Sequence, residues 1–207
     1  MTTTLTNDLL SVINNRTSIR HYDSTIKISE EDLTEILDSA TKAPSAWNLQ
    51  HWHFLVFKSD ESKEKLLPIA YNQKQIVESS AVIAILGDLQ ADKNTDPVYE
   101  PLVQAGYMTN EIKENLAGQI HGAYQNSIYA RDAAFSNASL AAMQLMIAAK
   151  AKSYDSCAIG GFNVDQLKKE FSVSERFVPI MLISIGKAVK PAHKSSRMSV
   201  DKVSTWL

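Results

Sequence analysis

The chain has 207 residues, 44% hydrophobic and 21% charged, with a formal net charge of -2. This length suits one domain with a sizeable core, and the composition is that of a soluble globular protein without low-complexity tracts. Mild acidity gives no general attraction for nucleic acid or an anionic membrane, and the single cysteine, Cys157, excludes an internal disulfide and a cysteine-built zinc site.

The opening Met-Thr-Thr-Thr-Leu-Thr lacks the basic-then-apolar order of a signal segment. Leu9 to Ile13 show a short helical pattern that runs into Arg16-Thr17-Ser18-Ile19-Arg20. Ser29-Glu30-Glu31-Asp32 resembles a capping box, and Leu33, Ile36, Leu37 and Ala40 follow at helical spacing. That helix must stop before Pro44, because the residue ahead of a proline is pushed out of the α region. His53 to Phe57 reads as a buried strand, Ser59 to Leu67 as a helix, and Ala81 to Leu86 as a second strand. The second strand is almost uniformly apolar, which favours a sheet covered on both faces.

Residues 89–130 are more polar and contain Pro97 and Pro101, with patchy helical periodicity around Val103 to Leu116. No linker brackets them, so the expectation is a single domain over 1–207 in which 89–130 forms a cover. Asp132 to Lys152 is an alanine-rich helix with Leu140, Met143, Ile147 and Ala151 on one stripe. Its apolar run, Ala138 to Ala151, is broken by Gln144 and Lys150 and is too short to span a bilayer comfortably, so a cytoplasmic protein is expected. Tyr154 to Ile159 reads as a third strand, Asn163 to Phe171 as a helix and Phe177 to Gly186 as a fourth strand. Strands and helices mix without strict alternation, which favours α+β over a doubly wound fold.

Two short basic-hydroxyl clusters stand at opposite ends of the chain: Arg16 to Arg20, and Lys194-Ser195-Ser196-Arg197. Guanidinium forks and hydroxyls match phosphate oxygens, so the pair suggests one anionic ligand gripped from both ends. Either cluster alone reads more readily as a solvated helix end or tail. Ile159-Gly160-Gly161 follows a strand, where backbone without side chains can approach a ring closely. No Gly-x-Gly-x-x-Gly, Gly-x-Ser-x-Gly, Walker loop or His-Glu-x-x-His is present.

With Ala43-Pro44-Ser45-Ala46-Trp47-Asn48-Leu49-Gln50-His51-Trp52-His53-Phe54 added, these segments resemble the nitroreductase family of FMN-dependent NAD(P)H oxidoreductases, in order and separation over nearly the whole chain. The resemblance implies an α+β fold with a mainly antiparallel sheet, and an intertwined homodimer with FMN at the subunit interface. NAD(P)H would serve as a transient co-substrate and an electron-poor small molecule, such as a nitroaromatic or quinone, as acceptor. By the same resemblance Arg16, Thr17, Ser18, Lys194 and Arg197 would hold the phosphate and nearby ring edge, and Arg20 and Asn72 the pyrimidine edge. Pro44, Ser45 and Asn48 would reach the flavin from the other subunit, with Gln50 in support, and Asn137 would offer an amide across the interface. At Ile159, Gly160 and Gly161 a backbone N–H, that of Gly161, would donate to flavin N5.

No side chain need be catalytic, and no metal or nucleic-acid partner is implied. Three positions depart from the family pattern. Gln75 stands where a lysine is frequent, Gly160 where Glu is, and His51 where Pro is. A reductive or dehalogenating branch of the same fold, and a non-catalytic FMN-binding protein, stay open as alternatives.

Overall fold

The computed structural model describes residues 2–207, with side chains from residue 9 onward. Its centre is a four-stranded sheet in the order β1-β2-β4-β3, formed by β1 (Trp52–Phe57), β2 (Ala81–Asp88), β3 (Asp155–Ile159) and β4 (Phe177–Gly186). Every pairing is antiparallel. All of β2 is buried, as its uniform apolarity requires of a central strand with both faces covered.

Side-chain alternation along β2 divides the core in two. Ile83 and Ile85 point to one face, where they meet α2 (Glu30–Thr41) and the long α7 (Ser127–Ala151) through Leu33, Ile36, Ala138 and Leu145. Val82, Ala84 and Leu86 point to the other, against α3 (Asp60–Ile69) and α8 (Val164–Glu170) through Leu66 and Leu167. Helix α7 approaches the sheet with its small residues. At Gly87 a Cβ would lie 2.9 Å from the Ala134 carbonyl oxygen and 2.8 Å from Ile180 Cδ1, so only glycine permits this contact.

The helix N-termini are capped as their sequences suggest. Ser29 Oγ accepts from the Asp32 N–H at 3.0 Å and Ser59 Oγ from the Ser62 N–H at 3.2 Å. The Asp32 carboxylate does not close a capping box. It accepts from Lys152 at 2.7 Å and Tyr154 at 2.8 Å, tying the start of α2 to the end of α7.

Several elements differ from the sequence expectation. The first helix, α1, extends over Thr2–Asn15, and α7 starts at Ser127, where Asn126 Oδ1 caps the N–H groups of Ile128 and Tyr129. The helix expected around 103–116 is interrupted. Residues 91–124 form a 3-10 turn (Ala91–Asn94), α5 (Thr95–Gln104) and α6 (Asn110–Tyr124). The break follows Gly106, at φ +74°, and Thr109 Oγ1 accepts from the Ile112 N–H to start the new helix. These elements close over Leu49 with their own small core of Ala91, Tyr99 and Ile120. Two short helices, α4 (Gln75–Glu78) and α9 (Val200–Val203), have no counterpart in the sequence reading. Among the described residues no helix is long and apolar enough to cross a membrane.

Candidate functional site

The Arg16 cluster is held along the open edge of β3. The Ile19 N–H donates to the Ser156 carbonyl at 3.1 Å, and Ser18 pairs in parallel with Ser156. Ile19, only 4% exposed, anchors the segment in the core and leaves its polar neighbours at the surface. After β4 the chain returns beside it: Tyr22 bridges Ala188, and the Val189 N–H donates to His21 at 3.1 Å. This delivers the C-terminal cluster to the N-terminal one. Arg16, Thr17, Ser18 and Arg20 from one end, and Lys194 and Arg197 from the other, line one pocket of about 330 Å³.

None of those four cations is in an ion pair among the described residues. Like charges gathered without carboxylates make a field that favours an anion. The same charges act on the Cys157 thiol, which burial pushes up while Arg20, the Ser18 hydroxyl and Arg16 pull it down. A larger pocket of about 640 Å³ shares Arg16, Ser18 and Arg197 and adds an apolar strip of Met143, Met146 and Ala158. Together the two suit an amphiphilic ligand with an anionic head.

Beyond Ala158 the strand ends in Ile159, which is 3% exposed, and then Gly160 and Gly161. A Cβ at Gly160 would meet nothing within 4 Å, and one at Gly161 only Gln73 Nε2 at 3.8 Å and Tyr71 at 4.0 Å. Neither glycine has positive φ, so the fold itself does not demand glycine here. The pair forms a bare ledge, and among the described residues the Gly161 N–H meets no acceptor. The turn after α3 flanks it, with Tyr71 and Asn72 in the left-handed region at φ 54° and 57°. Asn72 is exposed there.

The Pro44–Gln50 loop is strained. Trp47, Asn48 and Gln50 all have positive φ, at 51°, 55° and 54°. Such residues cost about 1–3 kcal/mol each and persist only where their surroundings over-determine them. Here Asn137 Oδ1 accepts from the Ala46 N–H at 2.8 Å, Ser45 Oγ from the Gln50 N–H at 3.0 Å, and the Trp47 carbonyl from the Tyr99 hydroxyl at 2.8 Å. Asn94 Nδ2 donates to the Leu49 carbonyl at 2.8 Å, and its own Oδ1 accepts from Arg176, which also forks onto Asp88 at 2.9 and 2.6 Å.

Asn137 is thus engaged within its own chain. It lies on the buried face of α7, with Nδ2 donating to the Ala133 carbonyl at 2.7 Å. Gln50 likewise turns its amide onto the Asn48 carbonyl at 3.2 Å, whereas the exposed Pro44 and Asn48 face outward. His51 is fully buried, stacked on Tyr124 with ring centroids 6.4 Å apart. Burial lowers its pKa to about 4 against the opposing pull of Asp88.

Within one chain these groups do not converge. Gln50 lines a separate pocket of about 580 Å³ with Leu49, Trp52, Phe54 and Asn94, and neither basic cluster reaches it. The loop feeds β1 and the ledge ends β3, the two edge strands of the sheet, which lie roughly 14 Å apart at the usual strand spacing. Tyr99, Asn94 and Gln73 hold these loops but carry no sequence signal of their own, since they bind backbone carbonyls that any donor could serve.

The Nitroreductase family model matches residues 13–187. YodC of Bacillus subtilis (strain 168), an inferred NAD(P)H nitroreductase, is 69% identical over 198 residues, covering 96% of this chain and 98% of that protein. The CLA biosynthesis enone reductase of Lactiplantibacillus plantarum is 33% identical over 193 residues, covering 90% of this chain and 89% of that protein. Among solved structures, an inferred nitroreductase from Exiguobacterium sibiricum in complex with FMN superposes with a TM-score of 0.90 at 40% identity, covering 96% of this chain and 97% of that one.

Proposed function

The chain belongs to the nitroreductase family, and from that premise we propose that it is a homodimeric FMN-dependent oxidoreductase. In a two-step exchange it would take reducing equivalents from NAD(P)H and pass them to an electron-poor acceptor. The observation that carries this reading is the basic pocket, where Arg16, Arg20, Lys194 and Arg197 converge without a carboxylate partner among the described residues. Its neighbourhood fits the cofactor's other parts: a terminal dianionic phosphate for the cations, and a flat ring for the bare glycine ledge and the apolar strip beside it.

When bound, FMN supplies reversible two-electron hydride exchange at N5. The chain's own residues bind and orient. Arg16, Lys194, Arg197, Thr17 and Ser18 would hold the phosphate, and charge-assisted hydrogen bonds of this kind are the strong ones. Arg20 and Asn72 would serve the pyrimidine edge, where a cation favours the reduced ring. Gly161 would offer its unspent N–H to the reacting atom. No carboxylate stands at Gly160, and water would serve as proton donor to the product. Nicotinamide and acceptor would use the same open ledge in turn, with no second nucleotide site required.

The dimer is supported by the apolar surface that one chain leaves bare. The stripe on α7 faces outward, with Leu140 47% and Met143 43% exposed, beside Leu9, Leu10 and Ile13 of α1. Pairing two copies would bring the Pro44–Gln50 loop of one against the ledge of the other. Nitroaromatics and quinones are the acceptor classes proposed. The likeness to an enone reductase favours conjugated enones as a second class with the same electronic demand.

The test is direct: the purified protein should be yellow, bind one FMN per subunit, bleach anaerobically with NADH or NADPH, and recolour on addition of a nitroaromatic. Failure to bind FMN would overturn the proposal, and FMN that no nicotinamide reduces would make the protein a flavin binder instead.

A further inference from the structure

Two consecutive glycines have the greatest backbone freedom of any pair, and at this ledge side-chain packing restrains them little: a Cβ at Gly160 would face open space and one at Gly161 would make only ordinary contact with Gln73 and Tyr71. Yet an N–H used at a reacting atom must keep its direction. The restraint comes from the turn between α3 and α4. Gln73 Nε2 donates to the Gly161 carbonyl at 2.8 Å and to the Ala70 carbonyl at 3.0 Å. Gln73 Oε1 accepts from Gln75 Nε2 at 3.2 Å.

Both hydrogens and the oxygen of the Gln73 amide are therefore engaged, and a flipped amide would press its oxygen against two carbonyl oxygens. The two carbonyls fix which way round it sits, and Gln75, 4% exposed in the first turn of α4, holds its oxygen end. Two residues past the contact, the Asn163 N–H donates to the Ile69 carbonyl at 2.8 Å, a second clamp from the same turn. On the other side Ile159 is held in register with Leu182. Only Gly160 and the amino side of Gly161 are left to be set. The left-handed Tyr71 and Asn72 make this geometry possible, turning the chain so that Asn72 is exposed and Gln73 meets Gly161.

We infer that Gln73, held at its oxygen end by Gln75, is a positioning residue that aims the Gly161 N–H at the hydride-exchanging atom. The inference rests on the reading of the ledge as the FMN site. It assigns the position where relatives often carry lysine, here Gln75, a role in holding the clamp.

The experiment uses holoenzyme loaded with FMN enriched in ¹⁵N at N5, whose resonance moves when N5 accepts a hydrogen bond. Gln73→Leu should keep its FMN, because the phosphate grip is untouched. Its N5 resonance should move toward the unbonded position, and anaerobic reduction by NAD(P)H should slow at least about tenfold with unchanged nicotinamide affinity, as when an oriented contact at a reacting atom is misaligned. Gln75→Leu, which keeps Gln73 and its two carbonyl contacts but removes the donor to its Oε1, should shift both readouts in the same direction by less. It decides the matter if Gln73→Leu does not retain flavin. A parent-like N5 resonance and reduction rate in a fully loaded variant would overturn the inference. An N5 without a hydrogen bond in the parent would overturn the Gly161 contact, and the inference with it, while FMN binding itself stood.

Discussion

Arg20 and Arg16 share one pocket, but they are proposed to do different work. A charge at the phosphate stabilises oxidised and reduced FMN alike, whereas one at the pyrimidine edge stabilises the reduced ring selectively and so shifts its potential. Arg20→Gln should lower the midpoint potential by some tens of millivolts, about 30 mV corresponding to roughly 1.4 kcal/mol for a two-electron couple. An unchanged potential in anaerobic titration of FMN-saturated variant and parent would make Arg20 another phosphate ligand, which its place in the pocket also allows. His51 sets a different test. Its unfolded pKa of 6.5 falls to about 4 on burial, so between those values the unfolded chain binds a proton that the native one does not. Native stability should therefore fall as pH drops from about 6.5 to about 4, by about 3 kcal/mol in all. Urea unfolding of parent and His51→Phe at pH 7 and 4.5 measures it, and equal losses in both would clear His51. The phosphate-type residues are legible in sequence because their chemistry shows in their type. Gln73, Asn94 and Tyr99 are not, because each acts through the backbone of a segment distant in sequence.

Among the elements, the strands were the most legible. β4 matches its expected span and β2 runs two residues beyond, because an apolar run between turn residues admits little else. The 89–130 segment was the least. Its helices lean on a small local core around Leu49, Tyr99 and Ile120, and neither the break at Gly106 nor the early start of α7 shows in periodicity. The stripe of Leu140 and Met143 was visible as a stripe, but sequence alone could not say that alanine would face the sheet and the larger residues would face out. Small residues win the inner face because α7 must come close enough to touch β2 at Gly87. Gly87→Ala should therefore cost about 1–3 kcal/mol, as overpacking does, because the Ala134 carbonyl cannot yield without moving α7. Gly160→Ala, with open space around it, should cost far less. Equal denaturation midpoints for the two variants would contradict this packing account.

At the scale of the whole molecule, the Pro44–Gln50 loop and the glycine ledge lie at opposite edges of one sheet, so the proposed site, built from both, calls for two copies of the chain. Removing two of the converging cations, Arg16→Ala with Arg197→Ala, should release FMN from a folded protein, since charge-assisted hydrogen bonds contribute about 1.5–3 kcal/mol each. Ser45→Ala with Asn48→Ala should weaken FMN binding from the other side. The decisive measurement mixes the two. Each double variant alone lacks one half of every site, but a mixed dimer pairs the intact pocket of one chain with the intact loop of the other. After unfolding and refolding together, the mixture should regain FMN at one of the two sites in each mixed dimer, read as protein-bound flavin after gel filtration. If mixed dimers form and no flavin returns, the site is not shared between subunits and the account fails.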